Sequence, residues 1–173
     1  MVAFTSILAT LAVAGAAAAA PALEPRAQIN GRLHSALRGD LCVGLSGTSD
    51  GSKLMLKSCW DESTSVSFND GDGLLWFNQA GRVADIPWGN YYDGQNPQLW
   101  ASGPNDNQRW YRHSPASQRN GDGVSQWEWQ QIKTQNGGNF CLDVHEGRAE
   151  PGAQIQIWSC AGGDSRNQAF YFA

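Results

Sequence analysis

Cys141-Leu142-Asp143-Val144, then Gln156-Ile157-Trp158-Ser159-Cys160, then Asn167-Gln168-Ala169-Phe170: this C-terminal stretch decides how the chain is read, because its pattern occurs twice. Residues 83–110 run Val83-Ala84-Asp85-Ile86, Gln98-Leu99-Trp100-Ala101-Ser102 and Asn107-Gln108-Arg109-Trp110, with the same thirteen-residue step from Asp to Gln and two-residue step from Gln to Trp. A third version keeps the frame but loses the polar residues: Cys42-Val43-Gly44-Leu45, Leu54-Met55-Leu56-Lys57-Ser58-Cys59 and Ser65-Val66-Ser67-Phe68. Units repeated in this way cannot bury their apolar faces alone and must share one core.

Within each copy, short alternating runs are broken by Gly, Asn, Asp and Pro, which reads as strands joined by tight turns. Leu74-Leu75-Trp76-Phe77, Gln131-Ile132-Lys133 and Phe170-Tyr171-Phe172 are the clearest. Beyond the first twenty residues no convincing 3.6-residue period outlasts two turns, so the expectation is an all-β domain of three units. The polar, Gly-bearing stretch Ser114 to Gly123 reads as a surface loop between the second and third copies.

The N-terminus is different in kind. Residues 2–20 form an apolar run ending in five alanines, and Ala20 and Ala22 make an A-x-A-like cleavage site. Residues 1–22 therefore read as a cleavable signal peptide, too short for a membrane span, with polar sequence at once behind it. The expected mature protein is secreted, extracellular and soluble, with no membrane insertion. Four cysteines in an exported chain point to disulfides. Cys42 with Cys59 and Cys141 with Cys160 would each close a short loop, worth roughly 3 kcal/mol on the chain-entropy account. Spacing alone leaves all three connectivities open.

Composition excludes several classes of function. The 173 residues carry 16 acidic and 12 basic side chains, a net charge of −4, so no electrostatic claim on nucleic acid or anionic lipid arises. No Cys-x-x-Cys or Cys/His cluster offers a zinc site. Asn69-Asp70-Gly71-Asp72-Gly73 hints at calcium, but Ala80 and Gly81 stand where the loop's bidentate Glu belongs, so it reads as a solvated turn. His34, His113 and His145 fall in no triad spacing, and no nucleophile-elbow or metalloprotease motif occurs. The expectation is a protein without cofactor, metal or catalysis.

The order Cys-Leu-Asp-Val, Gln-x-Trp-x-Cys, Asn-Gln-x-Phe resembles the ricin B-chain-type lectin repeat over about residues 28–173, in repeats of about 28–69, 73–112 and 127–173. The resemblance implies a β-trefoil and carbohydrate binding. Carried over by motif position, Asp143, Gln156, Trp158, Asn167 and Gln168 would form one sugar pocket, and Asp85, Gln98, Trp100, Asn107 and Gln108 a second. In that family the Asp accepts hydrogen bonds from adjacent sugar hydroxyls, and the aromatic lies against the less polar sugar face. The chemistry stands without the family: a pyranose has a C–H-rich face and a girdle of hydroxyls. A rigid indole suits the face, and an ionised carboxylate with amides suits the girdle. The bland alternatives are core tryptophans and turn-forming aspartates. Against them, Trp110 and Phe170 already supply core aromatics, and both aspartates sit between apolar neighbours.

Departures from the pattern refine the expectation. Gly44 and Lys57 stand at the Asp and platform positions of the first copy, which should therefore not bind sugar. Val83 and Ser102 replace the cysteines of the second copy, and its Asn107-Gln108 arrives two residues early. Trp88, Tyr91 and Tyr92 crowd its bend, either extending a sugar contact or packing over the barrel mouth. The expected partners are glycans with terminal or internal sugars, galactose- or GalNAc-like among others. A protease inhibitor or protein-binding effector acting through loops such as 114–123 is the competing reading, since one fold hosts many functions.

Overall fold

In the computed structural model, residues 28–113, 129–162 and 165–173 are described; the expected leader (1–22) and interrepeat loop (114–123) lie outside them. Twelve strands occupy the described residues, four to a lobe. The first lobe holds β1 (Gln28–Ser35), β2 (Arg38–Leu45), β3 (Leu54–Ser58) and β4 (Ser65–Asn69). The second holds β5 (Leu74–Phe77), β6 (Arg82–Asp85), β7 (Gln98–Trp100) and β8 (Trp110–His113). The third holds β9 (Gln131–Thr134), β10 (Phe140–Val144), β11 (Ile155–Ser159) and β12 (Phe170–Phe172).

The outer strands of each lobe build a barrel. Antiparallel pairs join β1 to β4, β4 to β5, β8 to β9 and β12 back to β1. Two junctions close through fewer bonds, Trp110 N–H to Gly73 O at 2.8 Å and a bridge between Gln130 and Phe170. The inner strands pair as three hairpins, β2–β3, β6–β7 and β10–β11. This is the expected β-trefoil, three pseudo-symmetric repeats around one core. Leu33, Val66, Phe68, Leu75, Phe77, Trp110, Ile132 and Phe170, drawn from all three lobes, are fully or almost fully buried in a single cluster.

A feature unseen in the sequence binds the lobes cyclically. The bend of each hairpin leans on the next lobe's third strand through a matched pair of backbone hydrogen bonds. Gly51 donates to Leu99 O while Leu99 donates to Ser52 O. Gly94 and Gln95 do the same with Ile157, and Gly152 and Ala153 with Leu56. All six bonds are 2.7–2.9 Å long. Gly51, Gly94 and Gly152 share a left-handed φ of 84–92°, where a side chain would be strained.

Both disulfides lie within a lobe, Cys42–Cys59 and Cys141–Cys160, which resolves the connectivity that spacing left open. The second lobe dispenses with one: Val83 packs in the interior in its place, and Ser102 is exposed. One reading of the first copy is corrected. Each lobe reaches its last strand through a 3-10 turn, namely Glu62–Thr64, Asp106–Gln108 and Arg166–Gln168. The first-lobe counterpart of Asn-Gln is therefore Ser63-Thr64, and Val66, not Phe68, matches Trp110 and Phe170. No described helix is long and apolar enough to cross a membrane.

Candidate functional site

Strand alternation creates the site. In β10, Leu142 and Val144 turn into the core, which sends Cys141 and Asp143 to the opposite face. Across the hairpin, Ile155 and Ile157 likewise face inward and leave Gln156 and Trp158 on the outer side. Register pairs Asp143 with Gln156 and Cys141 with Trp158. The second lobe repeats this: Asp85 opposite Gln98, Val83 opposite Trp100.

Each aspartate is buried, Asp85 at 3% and Asp143 at 2% exposure, so its lone pairs need partners. Three amides supply them. Gln156 Nε2 donates to Asp143 Oδ1 at 2.9 Å; Asn167 Nδ2 and Gln168 Nε2 donate to Oδ2 at 2.6 and 3.1 Å. Around Asp85, Gln98 Nε2 reaches Oδ1 at 3.0 Å, while Asn107 Nδ2 and Gln108 Nε2 reach Oδ2 at 2.8 and 3.0 Å. The early arrival of Asn107 is thus absorbed by its turn, which returns it to the same acceptor oxygen. Each carboxylate oxygen offers about two acceptor positions. Oδ2 is filled in both lobes, and Oδ1 keeps one position open.

Burial pushes both aspartates above the ordinary carboxylate range, and the three amides pull back against it. The weaker charge effects differ between lobes: His145 lowers Asp143, and Asp50 raises Asp85. These carboxylates sit where ionisation is costly, each held by three amides with one acceptor position on Oδ1 left over.

The second glutamine of each set has a structural duty. Gln168 donates to Ser159 O at 3.2 Å and accepts from Ala161 N–H at 2.8 Å; Gln108 does likewise with Ala101 O and Gly103 N–H. Gln131, which the sequence did not single out, supports this lock by donating to Ala161 O at 2.9 Å.

Both platform tryptophans are open to solvent, Trp158 at 43% and Trp100 at 40%, whereas Trp110 is buried and donates to Ala84 O. Trp158 shares a cavity of about 470 Å³ with Asp143, Gln156, Asn167 and Gln168. Trp100 shares one of about 240 Å³ with Asp85, Gln98 and Asn107, and Gln108 stays behind its wall. All ten singled-out residues thus collect into two sets of five. The sequence left the second-lobe lip open between two roles and missed that of the third. Trp88 lines the second, and His145 and Glu146 line the third. Both lips are 3-10 turns, Pro87–Gly89 and His145–Gly147. The pattern Asp-x-x-x-Gly, common to both copies, was the available signal. The aromatics left open in the second copy divide: Tyr91 packs on Phe140, Trp88 projects at the pocket, and exposed Tyr92 hydrogen-bonds to Gln95.

Among the described residues, the first lobe sets no carboxylate and indole together on its hairpin. Gly44 faces Met55, and a Cβ on it would fall 2.9 Å from both Lys57 Cγ and Ser63 Oγ. Ser63 Oγ instead donates to Asp61, whose carboxylate lies 3.9 Å from Lys57 Nζ. The place of an aspartate is closed in by Lys57, Ser63 and Thr64. The described His/Cys/Asp/Glu group with metal-ligand proximity is His34, Cys42 and Cys59, but its two sulfurs are joined to each other and offer no thiolate.

The profile of the ricin-type beta-trefoil lectin domain-like family matches residues 67–158, more than half of the chain. No curated protein matches the sequence. Among solved structures, the designed three-fold symmetric protein ThreeFoil superposes with a TM-score of 0.68 at 22% identity, over 83% of this chain and 98% of that one. The hemolytic lectin CEL-III gives 0.63 at 22% identity, over 86% of this chain and 31% of its own length. The C-half of the earthworm R-type lectin, solved in complex with GalNAc, gives 0.56 at 19% identity, over 82% of this chain and 95% of that one.

Proposed function

The chain belongs to the ricin-type β-trefoil lectin-like family, and on that premise we propose that it is a secreted lectin. It binds glycans through two shallow pockets, at Asp85/Trp100 and Asp143/Trp158, without catalysis. The observation that carries the reading is the repeated juxtaposition of a buried, amide-held carboxylate with a half-open indole. A sugar lying on the indole presents one hydroxyl to the free position on Asp Oδ1. Its neighbour competes for Oδ2 with the Asn amide, whose own oxygen then accepts. Galactose or GalNAc is the first candidate, consistent with the GalNAc bound by the earthworm relative. Two disulfides support an oxidising, extracellular setting.

Pockets this open bind weakly; a millimolar constant amounts to about 4 kcal/mol. Two pockets on one rigid domain recover affinity on a multivalent surface through effective concentration. Chromatography on immobilised galactose, xylan and mannan tests the reading. Wild type should be retained on at least one matrix, and Asp85→Ala/Asp143→Ala should elute in the void. Retention that survives the double substitution contradicts the assignment. Retention on no matrix, with inhibition in a protease panel, would favour a protein-binding role instead.

A further inference from the structure

Trp88 is 92% exposed. An indole left in water forgoes the burial that normally accompanies so large an apolar side chain. Its backbone is no more relaxed, with φ of +59°, a conformation bulky residues rarely adopt. The turn itself belongs to the fold, because the third lobe repeats it with Glu146 at φ +55°. There the side chain is a carboxylate paired with Arg148. The projecting indole is therefore peculiar to the second lobe.

Trp88 stands between two cavities. The inner one, about 240 Å³, holds Asp85 and Trp100. The outer one, about 480 Å³, is bounded by Tyr91, Asp106 and Asn136, and Asn105 and Asn107 line both. Two lobes build the outer cavity, because Asn136 lies between β9 and β10 of the third. Its wall is fixed in place. The Tyr91 ring lies against the bare backbone of Gly137, where a Cβ would fall 2.1 Å from it, and packs on Phe140 at 6.3 Å. Burial first, then the negative charges of Asp106 and Asp85, push the Tyr91 phenol above its ordinary range. The third lobe has Glu146 and Ala149 where the second has Trp88 and Tyr91, and Trp158 is the one indole lining its cavity of about 470 Å³.

We infer that the second lobe binds a glycan chain of at least two linked sugar residues, one on each side of Trp88, whereas the third lobe takes a single residue. This rests on the Asp85 pocket being a sugar site. An indole exposed on both faces offers apolar contact to two successive rings. Asp106, Asn136 and the Tyr91 hydroxyl give the outer ring the mixture of donors and acceptors that hydroxyls require.

Two exposed platform tryptophans allow the lobes to be read separately without stranding buried amides. Trp158→Ala leaves the second-lobe site, and Trp100→Ala leaves the third. Each is titrated calorimetrically with galactose, β1,3-linked galactobiose and galactotriose, and with the matching xylose and mannose series. The Trp158→Ala protein should gain about tenfold in affinity, some 1.4 kcal/mol, from mono- to disaccharide. The Trp100→Ala protein should change by less than about threefold. Adding Asp106→Ala/Asn136→Ala to Trp158→Ala should bring the trisaccharide back to within about threefold of the monosaccharide. Equal mono- and oligosaccharide affinity in the Trp158→Ala protein overturns the inference alone, as does an equal gain in the Trp100→Ala protein. Binding of no saccharide by wild type overturns the lectin reading and this inference with it.

Discussion

The first and third lobes carry the same hairpin, the same disulfide and the same cyclic bond to a neighbour, yet one holds a pocket and the other is filled. At the position where Asp143 collects three amides, Gly44 leaves room for Lys57, Ser63 and Thr64 to close in. Where Trp158 lies open, Lys57 reaches toward Asp61. The barrel depends on the inward-facing half of each strand, which both lobes preserve. The pocket depends on the outward half, which is free to change. Fold and site are thus written on alternate residues of the same strands, and a lobe can lose its pocket without endangering the core.

Substitutions can break or sharpen that contrast. The largest expected effect on stability is loss of a disulfide. Cys141→Ser/Cys160→Ser should cost about 3 kcal/mol in urea denaturation, and should weaken the third-lobe pocket more than the second, which is held without one. Next comes Asp143→Ala. It strands the buried amide of Gln156, costing about 1–3 kcal/mol, while the half-buried amide of Asn167 can turn to water, and the cost is partly offset because a buried charge disappears. Third-lobe affinity should fall at least about thirtyfold. The reverse experiment is Gly44→Asp with Lys57→Trp. It installs both missing residues in the first lobe, but the new Cβ meets Ser63 Oγ at 2.9 Å. The expected result is a loss of about 1–3 kcal/mol and no third binding event in calorimetry; a third site would show that residue identity alone makes the pocket.

The smallest effect is that of pH. Burial holds a proton on Asp143 at pH values above 3.8, where the unfolded chain has already released it. The folded state therefore carries the excess proton in that window, and stability declines as pH rises through it. Sugar affinity needs the ionised acceptor and should move the other way, falling as pH drops through the same window. Parallel curves of Tm and affinity should thus have opposite slopes, and Asp85→Asn/Asp143→Asn should remove this contribution from both. The first lobe, with Gly44, has no carboxylate at this position to add to the affinity curve, and its Asp61, held below its ordinary range by Ser63, adds to the stability curve with the opposite sign.

Much of this was legible in the sequence, because the decisive steps are short. Thirteen residues from Asp to Gln fix a hairpin register, and two more reach the indole on the same face. The cyclic docking of Gly51, Gly94 and Gly152 was not legible, since it joins segments from different repeats through backbone atoms. The frame of the first copy was misjudged because Ser63-Thr64 shares no side-chain type with Asn-Gln; only the common 3-10 turn reveals the match. Trp88 was visible as an aromatic but not as a projection. Its exposure follows from a left-handed turn that Glu146 occupies equally well.

The central claim, that Asp85/Trp100 and Asp143/Trp158 receive sugar while the first lobe does not, is tested most directly by following indole N–H signals in a 15N-labelled protein. The titrant is the saccharide of whichever matrix retains the chain. Trp100 and Trp158 should shift on saturable curves, with buried Trp110 and first-lobe Trp60 unmoved. Retention with both platform indoles undisturbed, or with the shift centred on Trp60, would contradict the account.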